Sequence, residues 1–190
     1  MKDRMLKNLA TALVCLVPSF ALCAQPVPTV AAQAGVASAV ERYANAVACA
    51  GVRVRPSDVL MLSEGYQGAF QARYAVLWTG DMSCFGGAGT EQTQLAIATF
   101  TNGRYVVQPE LSSPVVGFDS PVRLVTHVVS YTARAMVLEG YEHGPEDPDS
   151  APSVPVRFIL RSDAKGNWKM VDKVFLHVVE RAPEASDGAR

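Results

Sequence analysis

The hydrophobic period of this chain changes once, near Val52, and that change limits the fold more than any other feature. Before it, Val36, Val40, Tyr43 and Val47 recur at spacings of four, three and four. That places them on one stripe of an α-helix. Glu41, Arg42 and Asn45 fall on the other face, Thr29 can cap the start, and Gly51 offers a stop. The spacing predicts a helix over 30–49.

After Val52 the period is two, the signature of strands. In "FQARYAVLWT", Phe70, Ala72, Tyr74, Val76 and Trp78 share one face, opposite Gln71, Arg73 and Thr79. Strands are predicted over 58–63 (with a helical turn from Ser57 as the alternative), 70–79 and 93–100. Asn102-Gly103 then turns the chain back along 104–108, because both residues tolerate positive φ. Further strands are expected over 122–131, 134–142, 154–162 and 167–179, the last two joined by a turn at Gly166. Tyr43, Phe70, Tyr74 and Trp78 follow the buried periodicities and read as core. The fold class is therefore α+β: one N-terminal helix packed on a seven- or eight-stranded, mainly antiparallel β-meander, either a curled sheet or a sandwich. No internal repeat interrupts it.

The first residues carry a different kind of signal. "MKDRMLKN" supplies Lys2, Arg4 and Lys7, and "LATALVCLVPSFALCA" follows as a short apolar stretch broken by Pro18. This is the layout of a cleaved secretory signal peptide over 1–24, too short for a membrane span. Cleavage is expected after Cys23 or Ala24, and Leu22 just before Cys23 argues against a lipid-anchored cysteine. A linker at 25–28, a single domain at 29–180 and a flexible tail at 181–190 complete the organisation. The expected location is the periplasm, with extracellular secretion as the alternative and no stable membrane insertion after cleavage.

Export settles how the cysteines are read. Removing the signal takes Cys15 and Cys23, leaving Cys49 and Cys84 in an oxidising compartment, where a disulfide is expected. Closing a loop of that length stabilises a fold by ~3–4 kcal/mol in the chain-entropy model. Signal removal also takes three of the 17 basic and one of the 18 acidic residues, moving the net charge from −1 to about −3. No basic run marks a nucleic-acid partner.

Two loops hold the residue types from which a site could be built. "TGDMSCFGGAGTEQ" carries Asp81, Phe85, Gly86, Gly87, Gly89 and Thr90 around Cys84. A phosphate loop would need a Lys-Ser/Thr pair and a helix after the glycines, whereas Glu91 and Gln92 lead into a strand. The glycines instead suit a tight reversal beside the disulfide, or a nest of N–H groups for an anion. Asp81 suits an Asx turn, and Phe85 would be the exposed apolar tip of a stapled loop that enters a partner's cleft.

The second loop, "YEHGPEDPDS", gathers Glu142, His143, Glu146, Asp147 and Asp149, all able to ligate a divalent ion. It lacks EF-hand spacing, and Pro145 and Pro148 stiffen it into a solvated hairpin loop. His127 and His177 read as half-buried strand residues without zinc-ligand spacing. No catalytic or cofactor motif is present, so no cofactor is expected. Three functions follow in order: a binding module of inhibitor or immunity type that engages an envelope or extracellular protein through the 81–91 loop; a small-ligand carrier with a pocket in the concave sheet walled by the helix; and a hydrolase using Asp81 with His127 or His143.

Overall fold

A computed structural model of the protein describes residues 27–65, 68–85, 90–148 and 151–176. The expected signal peptide, the 181–190 tail, His177, Asp149 and Gly86, Gly87 and Gly89 lie outside the described residues. Helix α1 spans Val30–Val47, and Thr29 caps it by accepting a hydrogen bond from the Ala32 N–H at 3.2 Å. It ends before Gly51. Ala48 is already extended, and the Cys49 N–H leaves the helix to donate to the Asp81 carbonyl at 2.9 Å.

Nine strands follow among the described residues, one more than the longer of the two predicted counts. They are β1 (Ala50–Arg53), β2 (Val59–Gly65), β3 (Gly68–Asp81), β4 (Glu91–Thr101), β5 (Arg104–Val107), β6 (Val125–Tyr131), β7 (Ala135–Glu142), β8 (Val154–Ser162) and β9 (Trp168–Phe175). The added strand is β1, four residues without an apolar alternation long enough to announce it. Gly51 lies inside it at φ +67°, and a Cβ there would stand 2.6 Å from a Glu91 carboxylate oxygen. That glycine leaves room for the Glu91 side chain, which reaches over β3 from β4, rather than serving as a helix stop.

All strand pairings are antiparallel, which bears out the α+β reading. One sheet has the order β1-β3-β4-β5, with β2 also on β3; the other has β6-β7-β8-β9. Strands β1 and β2 occupy the same edge of β3 at different heights. β1 reaches Thr79 to Asp81, whereas β2 pairs no further than Val76. Residues 54–58 connect them through a short 3₁₀ turn at Pro56–Asp58. Leu77 and Trp78 thus lie between the two pairings, at a break in the sheet edge.

The first sheet is covered on both faces. Ala72, Tyr74, Val76 and Trp78 of β3 face α1, packing with Val36, Val40 and Ala44. Ala75 and Leu77, with Leu95 and Ile97 of β4, pack on Met136, Leu138, Val156, Phe158 and Leu160 of the second sheet. The result is a helix–sheet–sheet sandwich. The cleanly two-faced strand expected over 70–79 holds only at its start, where Arg73 is exposed; from Tyr74 to Trp78 both faces are buried. The 122–131 segment becomes a strand only at Val125. Before that it crosses β7, whose Gly140 has no room for a Cβ: the Leu124 carbonyl and Val122 side chain would lie 2.7 Å away.

Polar side chains close the rest of the sandwich. The Ser112 hydroxyl accepts from the Ile97 N–H at 2.9 Å and donates to the Gln108 carbonyl at 2.7 Å, standing in for a strand beside β4. Thr93 ties the sheets together: its N–H donates to the Arg123 carbonyl at 2.8 Å, and its hydroxyl accepts from the Val125 N–H at 2.9 Å. Such substitutions matter because an unpaired buried backbone group costs about 1–3 kcal/mol.

Candidate functional site

The stapled corner is built from the ends of α1, β3 and β4. Cys49 and Cys84 form the expected disulfide, with Cα atoms 5.3 Å apart. Asp81 is 2% exposed, and its Oδ1 accepts from the Ser83 N–H at 2.9 Å and the Cys84 N–H at 3.1 Å. This is the Asx turn read from the sequence: the carboxylate reverses the backbone immediately before the disulfide. Directly after it, Phe85 is 87% exposed. Thr90 is half-buried at the return into β4, where Glu91 pairs with Arg53 of β1.

The acidic loop is organised around one carboxylate. Asp147 accepts from the Gly144 N–H at 2.7 Å, the Ser153 N–H at 2.6 Å and the Ser153 hydroxyl at 2.8 Å, closing the loop between β7 and β8. The Gly144 N–H and then the Ser153 contacts hold its pKa below the usual 3.8. Glu142 instead pairs with Lys173 of β9 at 2.7 Å. His143 and Glu146 are exposed. Among the described residues, no three acidic, histidine or cysteine side chains come together as a metal-binding group.

The histidines expected to be half-buried do not behave alike. His127 is exposed on β6, because β6 is an edge strand and the residue pairs with Glu139 on the outward face of the second sheet. It lines an open groove of 370 Å³ with Arg55, Ser57 and Asp58. Asp81 belongs instead to the disulfide corner, and His143 to the loop closed by Asp147.

One further site was missed in the sequence. The break between β1 and β2 opens a cavity of 180 Å³ lined by Arg53, Arg55, Asp58, Leu77, Trp78, Thr79, Thr93 and Leu124. Among the described residues, Trp78 Nε1 and Thr79 Oγ1 are buried polar atoms without a hydrogen-bond partner. Arg53 pairs with Glu91, and Arg55 with Asp58 at 2.8 Å, while both arginine side chains remain about two-thirds exposed. The legible signal was "VRVRP": Val52 and Val54 pack toward the helix-side core, so the alternation turns Arg53 and Arg55 away from it. The Pro after them interrupts the edge strand. Compared with protein-family models, with curated proteins and with solved structures, the chain matches none.

Proposed function

We propose that the protein is a small exported binding module, periplasmic after signal cleavage, that engages another envelope or extracellular protein in an inhibitor- or immunity-type role. The observation that carries this reading is Phe85, a large apolar side chain 87% exposed immediately beside the Cys49–Cys84 disulfide. Aromatic side chains on restrained backbone are efficient anchors, because little conformational entropy remains to be lost on binding. The Asp81 Asx turn and the Cys49 N–H bond to the Asp81 carbonyl restrain that backbone further. Gly86, Gly87, Gly89 and Thr90 complete the proposed contact loop.

The test is affinity capture from envelope extract with the tagged, oxidised full chain and its Phe85→Asp variant. A stoichiometric protein retained by the first and lost from the second, at unchanged melting temperature, supports the reading. Equal retention by both, or no stoichiometric protein at all, overturns it.

A further inference from the structure

We propose that the free edge of β9 pairs with the same edge of a second copy of this chain, joining two four-stranded sheets into one about a two-fold axis at Val174. This surface does not include the Phe85 loop and is independent of the function proposed for it.

Strand β9 closes its sheet, with β8 on one side only. Its outer edge is covered at Trp168, where the Trp168 N–H donates to the Gly117 carbonyl and the Asp119 N–H to the Trp168 carbonyl, both at 2.8 Å. Beyond Trp168, no strand among the described residues pairs with that edge. Met170, Val171, Val174 and Phe175 are nonetheless exposed there, and on both faces: Val174 pairs with the outward Arg157, Phe175 with the inward Val156. Native edges are ordinarily blunted by free charges, lysine above all. Lys173, in the middle of this stretch, is not free. Its ammonium is bonded to both Glu142 carboxylate oxygens, at 2.7 and 3.0 Å, and lies 5.1 Å from the Phe175 ring centre.

The backbone shows which residues present the edge. The Leu176 N–H donates to the Pro155 carbonyl of β8 at 2.9 Å, and alternate residues of an antiparallel strand turn the same way. Val174 and Asp172 therefore address β8, while Lys173 and Phe175 turn their N–H and C=O groups to the free edge. In agreement, the Lys173 N–H finds its acceptor in the Asp172 carboxylate of its own strand, at 2.8 Å.

Charge selects the partner and the register. Directly opposed residues share a face of a sheet, so a two-fold axis between identical antiparallel strands passes through a residue. At Asp172 it would set two carboxylates against each other, and at Lys173 two ammonium groups, both destabilising. At Val174 the two valines meet, and each Lys173 stands opposite Phe175 of the other copy, a cation beside an aromatic ring. Lys173 and Phe175 then exchange both their N–H···O=C bonds on either side of the axis. At Phe175 the overlap shrinks to the last residues of the strand. Edge groups, apolar neighbours and charges thus complement a second copy of this strand itself.

Sedimentation velocity of the full chain is expected to show a concentration-dependent monomer–dimer equilibrium. Val174→Lys should weaken the dimer about tenfold, through lost apolar burial and like charges on the axis. It should leave the melting temperature of the monomer unchanged, because that side chain is exposed there. Val174→Cys should cross-link under mild oxidant, since opposed residues of a non-hydrogen-bonded pair have Cα atoms about 4.5 Å apart. Asp172→Cys should not, because in this register each copy's residue 172 lies opposite Leu176 of the other, roughly 14 Å along the strand from its counterpart. The parent protein under the same oxidant controls for its other thiols. A monomer at every concentration overturns the proposal, and protection of the Lys173 and Phe175 amides from exchange in that monomer would mean that the chain's own 177–190 segment covers the edge. A dimer that Val174→Lys leaves intact, or that cross-links through Asp172→Cys, overturns it too.

Discussion

The two sheets are built to different rules although both are antiparallel. In the first, β3 and β4 are buried on both faces, so Tyr74 to Trp78 and Leu95 to Ala98 read as unbroken apolar runs. In the second, β7 and β8 alternate between core and solvent, with Met136, Leu138, Val156, Phe158 and Leu160 inward. Their outward partners are Val137, Glu139, Arg157 and Ile159. Strand β9 carries the difference furthest: Trp168 is buried, whereas Val171, Val174 and Phe175 are more than half exposed. A layer between two others loses its alternation, and a layer at the surface keeps it.

The comparison breaks most visibly at Phe158, which is fully buried between the sheets. Phe158→Ala should cost about 3–5 kcal/mol, measured by denaturant unfolding. Val174→Ala in the neighbouring strand should stay within about 0.5 kcal/mol, since that side chain faces outward. Equal losses at the two positions would mean that the outer face of the second sheet is covered.

Gly80 probes the other layer. Its missing Cβ leaves room for Trp78 and Ala48 on the helix side, so Gly80→Ala should destabilise by about 1–3 kcal/mol through overpacking. Near-ultraviolet circular dichroism of the buried Trp78 indole should change with it. A neutral substitution would show that the helix–sheet layer yields where the sheet–sheet layer does not.

The smallest effect lies in the surface layer. The Asp147 pKa is lowered by the Gly144 N–H and Ser153, so its contribution is present above the ordinary value of 3.8 and is lost as pH falls through the depressed folded value. The amide resonances of Gly144 and Ser153 should move together at that acid end while those of β3 stay still. Asp147→Asn should loosen the loop between β7 and β8 and leave global stability nearly unchanged.

How much of this was legible depends on the range of the interactions. The α1 stripe, the Asn102-Gly103 hairpin and the Asp81 turn all appear where the residues predict them, because each rests on neighbours within a few positions. Strand β1 and the late start of β6 were illegible for the opposite reason. β1 exists through its contacts with Asp81 and Thr79, and β6 begins where the chain has finished crossing Gly140. The exposed Phe85 was foreseen from the loop around it, whereas the cavity at the sheet break was not. Nothing local says that Arg53 and Arg55 will stand beside Trp78 and Thr79, more than 20 positions away.

The sequence by itself determined the helix and the strands from β2 onward in outline, since propensity and period are local properties, and the Cys49–Cys84 pairing expected from it is the one formed. Only the tertiary structure decided that the strands divide into two sheets, that β3 is buried on both sides, and that two strands share one of its edges with a gap between them. Those outcomes follow from which apolar faces find each other. Period-two alternation says that a strand has faces; it does not say how many of them another layer will cover.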